Sequence, residues 1–264
     1  MLFFIKLIVL ALIQGVGEIL PISSSGHLIM FSNLFNVNDE GVMIEIVLHL
    51  ASLIALVFYY FDFIKEMIKG VYMYLIKKDY TYYKKWNYFT TIVVASIPVC
   101  IMGFFLNDYL DLLVNYVGLF LIFNGVLLLF VKNNDSKKEV ENLNLLDKLK
   151  IGLFETIGLV PGISRSGSSL LGCSVVNLNK EDSFNLTFLL LFPLVIGSLV
   201  LNVGDFSYDK TLLIPYIIIF LITFMVTYIS MVILHKLVIT RGSKIFSIYC
   251  VSIGIIYSII LLVI

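Results

Sequence analysis

The chain has 264 residues, 60% of them hydrophobic, with eighteen basic residues balancing eighteen acidic ones and a mean hydropathy of +1.02. That composition leaves no room for a soluble domain, and without a concentrated basic surface it excludes a nucleic-acid binder. Apolar stretches of about 20 residues, enough to cross ~30 Å of hydrocarbon, recur throughout and predict an all-α polytopic membrane protein, a single integral membrane domain over 1–264.

The first stretch, Leu2 to Leu20, begins like a secretory leader, but Gln14 and Glu18 interrupt it and no small-residue cleavage site follows, so it is read as mature protein. It ends at Pro21 and leads into Ile-Ser-Ser-Ser-Gly-His27. Val42 to Phe61, Phe89 to Leu106 and Leu113 to Val131 follow. Ile151 to Val160 then ends at Pro161 and leads into Gly-Ile-Ser-Arg-Ser-Gly167, and Phe184 to Val203, Leu213 to Leu234 and Ile245 to Ile264 complete the chain. Six stretches are long and clean enough to predict transmembrane helices. The first and fifth, each broken at a proline before a Ser/Gly-rich turn, predict two re-entrant helical hairpins, tolerated only where protein or water covers the broken backbone.

Minor features fit this frame. Tyr80 to Trp86 reads as an interfacial anchor, Pro98 and Pro193 as kinks, and Gly118, Gly125 and Gly197 as close helix contacts. Asn124, Asn185 and Thr187 can satisfy neighbours across helices, while Cys100, Cys173 and Cys250 read as small core residues. With this topology, fifteen of the eighteen basic residues fall on one side, in Asp62 to Tyr88, Lys132 to Lys150, His235 to Lys244 and at Lys180. Lys6 and Lys210 lie opposite, beside loops carrying Asn107, Asp108 and Asp205, and Arg165 lies within the membrane. The positive-inside rule makes the basic side cytoplasmic.

A shift of 141 residues aligns Leu12 with Leu153, Gly17 with Gly158, Ile22 with Ile163, Ser23 with Ser164, Ser25 with Ser166 and Gly26 with Gly167. The chain therefore reads as a duplication with halves of about 1–132 and 145–264. Three spans per half is an odd number, so the second half inserts upside down, an inverted-topology repeat whose two turns meet near the midplane.

Chemistry concentrates at those turns. Gln14 and Glu18 share a helix face among apolar residues, and a carboxylate at the bilayer centre costs ~2.5–3.5 kcal/mol, so it should face a polar cavity. Ser23, Ser24, Ser25 and Gly26 stand where a helix begins, with unpaired N–H groups suited to an anion. Arg165, among Ser164, Ser166, Gly167 and Ser169, reads as the only basic residue buried at depth, its guanidinium either meeting phosphate oxygens or pairing with Glu18 or Glu155. His27, three residues after Ser24, is placed to act as base to a serine nucleophile. His49, near Glu45, is a weaker candidate of the same kind.

Gln14-x-x-x-Glu18, Pro21-x-Ser-Ser-Ser-Gly-His27 and Pro161-Gly-x-Ser-Arg-Ser-Gly167 together resemble both signature motifs of the BacA-type undecaprenyl-diphosphatases of bacteria, over essentially the whole chain. The resemblance implies hydrolysis of undecaprenyl diphosphate to undecaprenyl phosphate and phosphate, recycling of the cell-wall lipid carrier and resistance to bacitracin. It places the protein in the bacterial cytoplasmic membrane, its site opening to the outer face. It further implies Glu18 as an essential carboxylate, Ser24 as nucleophile, His27 as its base, and Arg165 with Ser164, Ser166 and Ser169 as diphosphate binders. A divalent cation, Mg2+ or Ca2+, is implied by the resemblance alone. Many members have glutamate where this chain has Gln14, a departure that weakens a metal role there and leaves Glu18 and then Glu155 as its ligands. Implied partners are the lipid-diphosphate substrate and membrane lipid, with a homodimer left open. The type-2 phosphatidic-acid phosphatases share a Ser-Gly-His element but need a histidine six residues after an arginine, where this chain has Leu171. The rival reading is a polyprenyl-phosphate transporter or flippase, because inverted repeats with broken helices are also a transporter design.

Overall fold

A computed structural model describes residues 2–35, 37, 41–132, 138–201, 212–241 and 243–263. Lys210 and Asp205 fall outside the described residues. Those described form helices joined by short turns, with one isolated parallel bridge, Lys138 to Leu178, and no strand. In chain order the helices are α1 (Leu2–Gly17), α2 (Ser24–Phe35), α3 (Gly41–Tyr59), α4 (Phe61–Leu75), α5 (Tyr83–Leu110), α6 (Val117–Leu129), α7 (Leu145–Ile157), α8 (Arg165–Val175), α9 (Lys180–Leu201), α10 (Leu213–Arg241) and α11 (Lys244–Val263).

Four segments are long and apolar enough to cross a membrane: Tyr80–Leu106, Leu112–Leu129, Leu213–Ile233 and Lys244–Val263. A fifth arises if α3 and α4, bent by 70° at Tyr60, make one span. The protein is therefore a multi-pass membrane protein, with an exposed apolar coat that includes Phe105, Leu129, Ile214 and Ile248 and suits a lipid surround. The expected span Phe184 to Val203 corresponds to α9, which leads into residues outside those described.

Local chemistry explains where the helices stop. α1 and α7 both end four residues before a proline, Pro21 and Pro161, because proline pushes its predecessor out of helical geometry and offers no N–H. α7 starts with a reciprocal cap in which Asn144 Oδ1 accepts from the Asp147 N–H at 2.9 Å and Asp147 Oδ2 accepts from the Asn144 N–H at 3.2 Å. Asp62 to Tyr88, expected only as a cytoplasmic segment, contains α4 and the start of α5. Asp62, Lys65, Glu66 and Lys69 make α4 amphipathic, and it turns aside where the predominantly apolar α3 ends. Gly70 brings it against Lys85, which also pairs with Glu66 at 2.8 Å.

Hydrophobic force cannot drive helices together inside lipid, so small residues set the contacts. α6 lies on α11 through Gly118, Gly125 and Gly254, whose Cβ positions would fall 2.3–2.7 Å from atoms of the facing helix. Gly197, expected to do the same, has nothing within 4 Å and lines a cavity instead. Cys173 and Cys250 are buried as expected, but Cys100 is exposed and lines that same cavity. Arg165 is half-buried, and Lys148, in the segment expected on the cytoplasmic side, is 7% exposed, its Nζ donating to Asn87 Oδ1 at 2.5 Å and Thr90 Oγ1 at 2.7 Å. α1 packs on α10, and α7 packs on α5.

A Cβ on Gly152 would sit 2.2 Å from the Ala95 carbonyl oxygen, so Gly152→Ala should prise α7 from α5 and cost about 1–3 kcal/mol. Thermal unfolding in detergent should show a lowered midpoint, whereas Gly197→Ala should leave it unchanged or raise it, alanine being the better helix former.

Candidate active site

The two broken turns meet. Gly26 on α2 lies so close to Gly162 that a Cβ on the former would fall 2.9 Å from the Cα of the latter. Gly162 has φ of +94°, a left-handed conformation that suits glycine, and Ser23, immediately before α2, holds φ of +69° where its counterpart Ser164 has −77°. Asn124, from α6, ties the turns to each other: its Nδ2 donates to the Pro21 carbonyl at 3.2 Å and its Oδ1 accepts from the Ser164 N–H at 3.0 Å. The Ser166 hydroxyl adds a bond to the Leu20 carbonyl at 3.4 Å.

Each turn starts a helix in the same way. Ser23 Oγ accepts from the Gly26 N–H, and Ser164 Oγ from the Gly167 N–H, both at 3.1 Å. Gly26 and Gly167, expected to offer N–H groups to an anion, therefore spend them on caps, and Ser23 and Ser164 are first of all the capping residues. The N–H groups of Ser24, Ser25, Arg165 and Ser166 remain at the two helix starts, where no intrahelical acceptor exists. Both starts face one small cleft lined by Gly17, Glu18, residues 23–25, residues 163–166 and Leu191. Two helix dipoles thus direct positive potential into the same space, with the half-buried Arg165 between them.

Within the cleft, Ser24 Oγ donates to Glu18 Oε2 at 2.6 Å. Glu18 Oε2 also accepts from Gln14 Nε2 at 3.0 Å and lies 3.7 Å from His49 Nδ1. His27 does not reach Ser24. Its Nδ1 lies 2.8 Å from the Ser23 carbonyl and its Nε2 2.9 Å from Tyr249 Oη on α11, with the two rings stacked at 5.6 Å. The local carbonyl at the helix start outcompetes the hydroxyl one turn on, so the partner of Ser24 is a carboxylate from the preceding turn. His49, Asn124 and Tyr249 join the site although the sequence motifs contain none of them.

Arg165 makes no ion pair within 4 Å with Glu18 or Glu155. Glu155 is 1% exposed, does not line the cleft, and has no hydrogen-bond partner in the protein for either oxygen. Ser169 is buried on α8 outside the cleft lining. Among the described residues no three His, Cys, Asp or Glu side chains cluster to hold a metal ion. Glu18 is the one carboxylate in the cleft lining, and Gln14 turns a donor nitrogen toward it. That donor set does not fit a divalent cation held by protein alone.

A second cavity of about 800 Å³ adjoins the cleft, sharing Ser25 and Arg165 with it and continuing past Ile29, Val99, Phe104 and Leu194. The whole is a polar cleft, holding one carboxylate and one guanidinium, next to a largely apolar chamber inside a multi-pass helical membrane protein. That is the architecture expected of a protein that handles an anionic lipid.

Residues 7–256 match the family model described as bacitracin resistance protein BacA, and the chain belongs to that family. It is 36% identical to an undecaprenyl-diphosphatase of Thermosipho africanus, over 94% of this chain and 97% of the relative. It is 31% identical to undecaprenyl-diphosphatase 2 of Bacillus thuringiensis over 96% of both chains.

Replacing Asn124 by leucine, of similar volume, would leave the buried Ser164 N–H and Pro21 carbonyl unpaired, at about 1–3 kcal/mol each. The thermal midpoint in detergent should fall well below that of wild type. An unchanged midpoint would show that Asn124 does not hold the turns together.

Proposed function

We propose that this protein hydrolyses undecaprenyl diphosphate to undecaprenyl phosphate and inorganic phosphate, recycling the cell-wall lipid carrier. The observation that carries the reading is the 2.6 Å bond from Ser24 to Glu18 in a cleft that also receives Arg165 and two helix N-termini, in a chain of the BacA family. Serine is a weak nucleophile until a base takes its proton, and phosphoryl transfer otherwise needs positioning and charge stabilisation.

The diphosphate head binds against Arg165 and the N–H groups of Ser24, Ser25, Arg165 and Ser166, while the first isoprene units occupy the apolar chamber beside Ile29 and Phe104. Glu18 Oε2 takes the proton as Ser24 Oγ attacks the terminal phosphorus. The bond from that phosphorus to the bridging oxygen breaks, and undecaprenyl phosphate leaves. Glu18 passes its proton to the departing lipid phosphate, then draws a proton from a water that attacks the phosphoserine, and returns it to Ser24 Oγ as the phosphorus–Oγ bond breaks and phosphate leaves. His27 holds the start of α2 against α11 through Tyr249. A carrier alone would not need a serine bonded to a carboxylate beside an arginine.

The same reading includes the finer architecture: six transmembrane helices and two re-entrant hairpins, α1–α2 and α7–α8, in an inverted repeat. Support comes from Gly17 and Gly158, each abutting the first residue of the next helix, Ser24 and Arg165 respectively. The exchange of partners adds to it, since α1 packs on α10 of the other half and α7 on α5 of the other half. The basic residues Lys65, Lys69, Lys77, Lys78, Lys84 and Lys85 favour the cytoplasmic side of a bacterial cell membrane, with the cleft opening outward.

Phosphate release by the purified protein in detergent tests the reading. Ser24→Ala and Glu18→Gln should each lower kcat by about 10²–10⁴-fold, and Arg165→Ala should cut kcat/KM by at least ~10²-fold, because its charge meets the phosphate that reacts. Rapid quenching with labelled substrate should trap phosphate on Ser24. Full activity of Ser24→Ala would refute the covalent route, and retained phosphate release by Glu18→Gln would remove the carboxylate from the role of base.

A further inference from the structure

His49 belongs to none of the signature motifs, yet it lies next to the base. It projects from α3, its side chain is 16% exposed, and its Nδ1 stands 3.0 Å from Gln14 Nε2 and 3.7 Å from Glu18 Oε2. The Gln14 nitrogen bonds Glu18 Oε2 at 3.0 Å and approaches Ser52 Oγ at 3.4 Å. Ser52 Oγ in turn lies 3.1 Å from Thr227 Oγ1 on α10. A buried polar chain therefore runs from α10 through α3 to α1 and ends on the same carboxylate oxygen that accepts from Ser24.

Hydrogen-bond capacity fixes how this chain must be wired. A carboxamide nitrogen carries two N–H bonds. One serves Glu18, and of the two remaining acceptors His49 Nδ1 is nearer than Ser52 Oγ by 0.4 Å, the difference between 3.4 and 3.0 Å. His49 thus presents a lone pair at Nδ1, and its ring proton sits on Nε2. With no acceptor at position 49, Gln14 has one well-directed bond left and turns toward Ser52. Glu18 depends on Gln14 more than a helical side chain would, because it lies just beyond Gly17, the last residue of α1, in the turn. Its carboxylate is aimed by the bonds it accepts.

We propose that His49 is a positioning residue for the reaction: through the Gln14 amide it holds Glu18 Oε2 in line with the Ser24 hydroxyl. The inference rests on the reading that Glu18 takes the proton of Ser24. It concerns the chemical step and not the binding of the lipid, since His49 lines neither the cleft nor the apolar chamber.

The test measures phosphate release against undecaprenyl diphosphate concentration for the full-length protein in detergent, with a thermal midpoint for every variant. His49→Leu should lower kcat by about 10- to 100-fold, the effect of a displaced reacting group, while KM stays within about threefold, as expected when only the transition state is affected. His49→Gln and His49→Met are alike in length, but only glutamine offers a strong acceptor, so the first should restore kcat to within about fivefold of wild type and the second should not. The double variant Gln14→Leu/His49→Leu should lose no more than Gln14→Leu alone, because both act in one chain. If His49→Leu does not fold, the glutamine and methionine pair carries the comparison. Wild-type kcat in His49→Leu, equal activity of the glutamine and methionine variants, or additive losses in the double variant would each overturn the role of His49 and leave the phosphatase reading standing. A wild-type protein that releases no phosphate would overturn both.

Discussion

The structure depends on how two breaks in the backbone are sealed inside an apolar surround. A helix that stops within hydrocarbon exposes carbonyls and N–H groups that lipid cannot satisfy, and each such group costs several kcal/mol if left alone. Here the two breaks seal one another. Asn124 gives one end of its amide to the Pro21 carbonyl and the other to the Ser164 N–H, and Ser166 reaches across to Leu20. The glycines at the contact, Gly26 and Gly162, let the backbones approach as closely as that requires. What remains unsealed after this mutual capping is the first turn of α2 and of α8, and those N–H groups are the ones left for an anion.

Site and fold are therefore one construction. The cap serines Ser23 and Ser164 direct the following residues, Ser24 and Arg165, into the cleft, and Gly17 and Gly158 allow the incoming helices to lie directly behind them. A bulky residue at either glycine would displace the hydroxyl or the guanidinium before it touched any ligand. The apolar chamber follows from the same break, because Pro161 and Gly158 line its wall next to Arg165. A lipid with a charged head needs a polar place and an apolar place side by side, and an interrupted helix beside the chamber makes that junction.

Much of this was legible in the sequence because the breaks are written locally. Prolines, serines and glycines at fixed offsets mark Pro21 to His27 and Pro161 to Gly167, and a carboxylate four residues from Gln14 in an apolar helix must face something polar. Partners supplied by distant helices were legible only in part: Asn124 reads as a residue that satisfies neighbours across helices and His49 as a weaker base candidate, but nothing marks Tyr249 or says which groups each would meet. Periodicity does not say which way a helix is rotated about its axis. His27 shows the limit of spacing as an argument, since the Ser23 carbonyl and Tyr249 hold both ring nitrogens. α4 was hidden by its charges, which mark a segment outside the membrane but not whether it is helical. Its amphipathic pattern around Met67 and Gly70 was the available signal.

On the duplication proposed above, chemistry has broken the symmetry that packing keeps. Ser23 and Ser164 play the same capping role, and so do Gly17 and Gly158 behind the helix starts, because both breaks face the same backbone problem. The next position differs: the hydroxyl of Ser24 stands where the other half has the guanidinium of Arg165. A phosphoryl transfer needs an attacking group and a charge to receive the phosphate, and two identical turns would supply one of these twice. Gln14 and Glu155 are equivalent in the same register, and they have diverged as well. Gln14 is drawn into the site by Glu18 and His49, whereas Glu155, buried in the other half, finds no such partners. The position equivalent to Glu18 is Leu159, so the second half has no matching carboxylate there. On the proposed mechanism the labour is divided between the halves: one turn provides the nucleophile with its base, and the other provides the positive charge against which the phosphate is held.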